Sequence, residues 1–255
     1  MADDRRAQAR IPPAVPFREK WRIALSHVRR LRAAGFTFEA VVADAPYGET
    51  HQFRAGLERL GLAYVVAVPY SMGARVLGTP TRESLAAIAQ GLARSAWHRI
   101  RWGQGTKGPL EARFAAVRVQ IPKSRSGRWL LCQESLVDGE RQYYFSNLPA
   151  DTPLKTLVRI ARSRWAIEVQ YRDLKSELGL DHFEGRSYPG WHHHAVLAAM
   201  TFTFLQLERR RHAPLPTFPE VRDLMREVFA ALLWTARPAW LKLAISFQRN
   251  PPLRI

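Results

Sequence analysis

Residues 36–68 constrain this chain's fold most. FTFEAVVA, at 36–43, reads as a strand whose second half is continuously apolar, as expected where both faces of a strand are covered. Residues 50–60 then read as a helix stopped by Gly61, and residues 63–68 as the next strand. Strand, helix and strand in succession point to an α/β fold. The first strand ends in Asp44-Ala45-Pro46-Tyr47-Gly48. A carboxylate at the C-terminal tip of a buried strand stands where open α/β sheets place ligand chemistry. Equally, Asp44 is suited to cap the next helix or to form an Asx-turn before Pro46, and position alone leaves both readings open.

A second segment, residues 153–179, predicts one long helix, with Pro153 suited to its first turn and Gly179 to the position beyond its end. Arg164, Glu168, Tyr171 and Lys175 are spaced i, i+4, i+7 and i+11, so in a continuous helix they share an arc of about 60°. Ile160, Ile167, Leu174 and Leu178 form an apolar stripe beside them, which predicts how the helix docks on a core. An acid between two cations on one helical face is commonly a solvated surface with weak ion pairs. It is also a rigid way to set a metal-binding carboxylate against a phosphate backbone.

Charge narrows the choice of partner. The 255 residues carry 39 Lys and Arg against 22 Asp and Glu, a formal charge of +17, which favours polyanions. Much of that excess lies between residues 91 and 130, where nine bases face a single acid, Glu111. Residues 70–147 alternate in the manner of strands (114–121, 129–134 and 142–145) joined by turns, and predict a β-rich subdomain between Asp44 and Glu168. Within it WGQGTKG, residues 102–108, reads as a glycine-rich basic loop without the spacing of a Walker motif. Trp102 and Lys107 there suit a DNA backbone or an unpaired base, or the glycines serve only hairpin geometry.

The single cysteine, Cys132, rules out an internal disulfide framework and a cysteine-based zinc finger within one chain. His192-His193-His194 has the wrong angular spacing for a shared metal centre and suits a helix start or phosphate contacts. Residues 1–16 read as an extended polar lead-in without a signal-like apolar core. Residues 195–207 read as a core helix too short to span a bilayer. Thr217 predicts the cap of a last helix over 218–234, and residues 249–253 an irregular tail. A cytoplasmic protein with no membrane partner is the expectation.

Arg164-Trp165-Ala166-Ile167-Glu168, with Lys175 seven residues on, resembles the Arg-Glu-Lys part of the Y-R-E-K signature of bacterial insertion-sequence transposases. These belong to the insertion-sequence-four-like group of the DDE superfamily. The signature tyrosine is replaced by Ala161. Residues 179–194, GLDHFEGRSYPGWHHH, are similar to the continuation in one branch of that group, and residues 41–69 to the stretch bearing the second acid of the D-D-E triad. The resemblance implies a ribonuclease-H-like catalytic fold with an inserted β-rich subdomain and C-terminal helices. It implies Asp44 and Glu168 as two of three carboxylates holding two magnesium or manganese ions. It also implies DNA contacts by Arg164, Lys175 and Arg172, with Lys107 and Trp102 in the insertion.

The first aspartate of the triad has no counterpart here, because Asp3 and Asp4 lie in a charged lead-in unlike the first strand of the family. The resemblance therefore implies a C-terminal portion, with a fold incomplete at its N-terminal strands. The expected segments are a partial core over 1–69, the basic insertion over 70–150, the glutamate helix and a core helix over 151–212, and a helical tail over 213–255. The implied partners are transposon-end and target DNA, with a homodimer or a mixed complex with intact transposase. The implied function is metal-dependent DNA cleavage and strand transfer, or else DNA binding by an inactive remnant.

Overall fold

In the computed structural model, which describes residues 2–105, 108–124, 126–211, 216–237 and 239, the apolar runs become one eight-stranded sheet with helices. The chain begins with α1 (Ala2–Gln8), α2 (Lys20–Ala33), β1 (Val41–Ala43), α3 (Ala45–Gly48), α4 (His51–Arg59) and β2 (Tyr64–Val68). Short strands β3 (Gly73–Val76) and β4 (Glu83–Ser84) lead into α5 (Leu85–Gly91). The hairpin of β5 (His98–Gly105) and β6 (Gly108–Gln120) is followed by β7 (Arg128–Glu134) and β8 (Arg141–Ser146). Helices α6 (Leu154–Ser163), α7 (Trp165–Ser176), α8 (Tyr188–Arg210) and α9 (Phe218–Ala236) complete the order. Two compact units result, Pro16–Ala166 and, discontinuous in sequence, Met1–Val15 with Ile167–Ile255.

The unit Pro16–Ala166 holds the whole sheet, in the order β1-β2-β8-β7-β6-β3-β4, with β5 also on β6. β1 and β2 are parallel, Val41 opposite Tyr64, as a helix crossover requires, and the remaining pairs are antiparallel. β6 is long enough to pair with β5 through its first half and with β3 through its end. β2, before the expected insertion, is hydrogen-bonded directly to β8, near its end.

Period-two alternation sorts the core. Tyr64, Val66 and Val68 of β2, Leu130 and Cys132 of β7, and Tyr143 and Phe145 of β8 pack on one face with Leu25, Phe53, Leu57, Leu85 and Ile88. Their neighbours Val65, Leu131 and Tyr144 pack on the other face with Leu157, Val158, Ile160 and Ala161 of α6. Helices α2, α4 and α5 thus cover one side of the sheet and α6 the other, a three-layer α/β/α arrangement. A half-buried ion pair joins α4 to β7. Glu58 Oε1 accepts from Arg128 Nη2 at 2.7 Å and from the Tyr64 hydroxyl at 2.9 Å. Burial and the adjacent glutamate push the Tyr64 phenol well above its ordinary range.

Gly48 fixes the turn after β1. Its N–H donates to the Asp44 carbonyl at 2.9 Å, and its own carbonyl accepts from the buried Arg54 guanidinium. A Cβ at Gly48 would lie 1.8 Å from the Ala67 carbonyl oxygen, a backbone atom of β2 that cannot step aside.

In the other unit, the Tyr188 N–H at the start of α8 donates to the Ala9 carbonyl beyond α1 at 2.7 Å. Leu205 of α8 and Phe218 and Val221 of α9 are buried with Leu178, Phe202 and Met225 around them. Thr217 and Glu220 form the capping box of α9.

Five local expectations change. The lead-in is helical over Ala2–Gln8, because Ala, Arg and Gln favour helix and the acidic-to-basic order suits the helix dipole. The strand expected from residue 36 begins at Val41, and Phe36 is exposed. Of the glycine-rich segment, residues 102–105 end β5 and Gly108 begins β6, with Gly105 opposite Gly108. The long helix over 153–179 is two helices. The Ser163 hydroxyl bonds back to the Ile160 carbonyl at 2.7 Å and competes with continuation of the helix. The apolar stripe is divided with it, Ile160 being buried and Ile167 45% exposed. Residues 195–207 are helical within α8, but of them only Ala198 and Leu205 are buried, since apolar residues surround the helix and α9 covers one arc. The tail expected over 249–253 lies outside the described residues.

Two measurements check this arrangement. Gly48→Ala should lower stability by about 2–4 kcal/mol in urea unfolding, because a backbone clash must be relieved. Cys132 is fully buried and its thiol is pushed up to about 12 by burial, so a disulfide reagent should label it at a rate set by unfolding. Rapid labelling of the folded chain at neutral pH would contradict the core described.

Candidate functional site

The end of β1 positions the Asp44 carboxylate. Tyr47 and Gly48 donate their N–H groups to the Asp44 carbonyl at 3.0 and 2.9 Å, so the backbone of Asp44 starts α3. Its side chain makes no capping hydrogen bond. Of the two sequence readings of Asp44, capping by the carboxylate is not what the fold uses. Arg164 Nη1 instead lies 2.6 Å from Asp44 Oδ1, with the side chains 33% and 55% exposed. At that exposure the pair contributes at most about 1 kcal/mol, so it orients two groups more than it stabilises the fold.

Arg164 reaches Asp44 because α6 is pinned to the sheet by Leu157, Val158, Ile160 and Ala161. It follows Ser163, in right-handed helical conformation at the α6 C-terminus. Beside the pair is a polar group that periodicity did not single out. The Tyr144 hydroxyl donates to Gln142 Oε1 at 2.8 Å, and Arg162 Nη1 donates to Gln133 Oε1 at 3.1 Å. Burial pushes the Tyr144 phenol up, opposed by Arg162 and Arg164. The Arg162 guanidinium stacks 4.5 Å from the Trp102 ring centroid, and Trp102 meets Phe114 edge-on at 5.7 Å. The signal was present as Arg-Ser-Arg at 162–164, two cations leaving the helix end on different sides.

The other unit gathers the remaining signature residues. Glu168, Tyr171, Arg172 and Lys175 of α7 line one open cleft of about 770 Å³ together with Ser176, Asp181 and His182. Arg164, at the end of α6, pairs with Asp44. The structure therefore brings Asp44 to Arg164, and Glu168 to Tyr171, Arg172 and Lys175. Trp102 is half-buried on β5, and Lys107 lies outside the described residues.

Among the described residues no group of three or more His, Cys, Asp or Glu side chains is placed to hold an ion. Asp44 Oδ1 is already engaged by a guanidinium. The donor set as it stands does not fit a two-metal centre. The histidine run makes no centre either: His192 packs on the Tyr188 ring at 4.1 Å, and His194 Nε2 is 2.9 Å from the Gly179 carbonyl. No helix among the described residues is long and apolar enough to cross a membrane.

Comparison with known proteins gives two matches. The family model of the DDE superfamily endonucleases matches residues 1–76, a stretch that contains Asp44. A probable transposase for insertion sequence element IS701 from Microchaete diplosiphon is 27% identical over 195 residues. That alignment covers 74% of this chain and 46% of the relative, so the chain spans about half the length of the relative it matches. The chain is thus similar to DDE-superfamily endonucleases over residues 1–76 and to an insertion-sequence transposase over 195 residues.

Proposed function

We propose that this chain acts on DNA as part of an insertion-sequence transposase, in phosphodiester cleavage and strand transfer, with Asp44 and Glu168 as acidic site residues on a ribonuclease-H-like core. The observation that carries this reading is the Asp44 carboxylate. It stands at the C-terminal tip of a parallel strand, is not used as a helix cap, and is held in place by Arg164. Arg164, Arg172 and Lys175 supply phosphate contacts, Arg as a fork and Lys as a point charge. Superfamily endonucleases use divalent metal ions, and hard carboxylate oxygens suit magnesium or manganese. A two-metal centre at Asp44 and Glu168 needs at least one further oxygen donor beside them.

A second reading is supported by that same shortage of donors together with the +17 charge: DNA binding without cleavage. The two separate in one experiment. In cells carrying a marked element and supplied with the chain, Asp44→Asn and Glu168→Gln should each lower transposition by about 100-fold or more if the first reading holds. An unchanged frequency in Glu168→Gln removes its assigned role. If the unaltered chain yields no transposition yet binds duplex DNA with affinity falling steeply as salt rises, the second reading stands. Salt-insensitive binding contradicts it.

A further inference from the structure

A basic groove lies in the unit Pro16–Ala166, in the helical layer opposite α6. Helix α2 turns Leu25 and Val28 to the core and Arg22, Arg29 and Arg30 to solvent. Gly56 sets how closely α4 approaches it, because a Cβ there would lie 2.4 Å from Leu25 Cδ2. At that spacing Arg59, one turn beyond Gly56, comes beside the arginines of α2. Arg18, Arg22, Arg29, Arg30 and Arg59 thus line an open groove of about 940 Å³, together with Trp21 and Leu25.

The five arginines share the groove with one acid, Glu19, and Arg22 takes that acid at 2.8 Å. Glu58, next to Arg59 in sequence, is turned to Arg128 and Tyr64. Arg18, Arg29, Arg30 and Arg59 are exposed and form no ion pair among the described residues. The helix dipoles favour Arg30 and Arg59 in the last turns of α2 and α4, but account for neither Arg18 nor Arg29. Gathering like charges is unfavourable unless an anion matches them, and charges spread over two helices suit a polyanion. Arg22 and Arg29 are seven residues apart, about 10 Å along α2, or about three nucleotides of one strand of a duplex. The Trp21 ring packs on the core and carries the Arg22 guanidinium 4.8 Å from its centroid, so the groove offers charge more than a stacking platform.

We propose that the α2–α4 groove grips the phosphate backbone of a DNA duplex through Arg18, Arg29, Arg30 and Arg59. The inference rests on DNA being what the chain acts on, and adds a place where a duplex is held, in the layer opposite α6. Strand transfer acts on two DNA molecules at once, so a hold on duplex away from the reacting phosphodiester has a use in it. Contacts of this kind position DNA and carry no sequence information, so binding here is indifferent to sequence.

The test uses the purified chain, a short fluorescein-labelled duplex and an oligo-dT of the same length, with anisotropy measured over a range of salt. Arg29→Gln/Arg59→Gln should weaken duplex binding at least about tenfold and lower its salt slope by about two, with a smaller loss on oligo-dT. Arg29→Glu/Arg59→Glu should weaken it further. Arg5→Glu/Arg226→Glu, the same change of charge on exposed arginines of the other unit, should cost about threefold or less. Slow labelling of Cys132 shows that each variant is folded, and if the glutamate variant of the groove loses that protection the glutamine variant decides. Unchanged duplex affinity and salt slope in the groove variants, with the unaltered chain binding duplex, overturns the groove and leaves the proposed function standing. An equal loss in Arg5→Glu/Arg226→Glu also overturns it, because net charge alone then explains binding. So does an equal loss on oligo-dT, or poly-glutamate binding as tightly as duplex, which makes an acidic protein the occupant. Failure of the unaltered chain to bind either DNA at low salt removes the proposed function and the groove with it.

Discussion

The antiparallel pairing of β2 with β8 is the contact on which the rest depends. It joins residues far apart in sequence, Val65 opposite Ser146 and Val68 opposite Tyr143. Asn147 locks its end from both sides, accepting from the Tyr64 N–H at 2.7 Å and donating to the Leu62 carbonyl at 2.9 Å. Because β1 lies beside β2 and α6 follows β8, this pairing carries the end of α6 to the end of β1. Asp44 and Arg164 meet for that reason. Closing so long a loop costs conformational entropy before any contact repays it, and the apolar residues on both faces of β2 and β8 supply the return.

Electrostatics divides the basic charge of this unit by setting. Arg128 and Arg54 are buried among Glu58, Tyr64 and a backbone carbonyl, where removing one partner would strand a charge. Arg99 and Arg159 lie in exposed pairs that contribute little. Arg101 lies opposite Glu111 across the β5–β6 pair, whereas Lys155 and Arg162 have neither arrangement. Total charge therefore says little about which cations are available to a ligand; the distribution of Glu39, Glu58 and Glu111 decides it.

Much of this was legible in residues. The apolar run at 40–43, the Thr50 and Gly61 boundaries of α4 and the Thr217 cap gave elements close to those observed, because each rests on local chemistry. The break at Arg164 was not legible from spacing, since Ser163 is compatible with helix and only its bond to Ile160 reveals the competition. The β5 strand was missed because glycines at 103 and 105 imitate a loop, and it is a strand through its long partner β6. Asp44 was legible as a candidate, but that its carboxylate pairs with Arg164 rather than capping α3 depends on a distant segment. Arg162 and Tyr144 were invisible for the same reason: their meaning arises across strands.

The discontinuous unit has a consequence for the order of synthesis. Its first piece, α1 with the residues to Val15, leaves the ribosome before the sheet, whereas its hydrogen-bonding partner at Tyr188 is made after the sheet is complete. Domains generally fold as they emerge. Residues made before the sheet are thus docked only after it, and α1 must stay solvated throughout that interval. Its seven residues, ADDRRAQ, carry charge enough to do so.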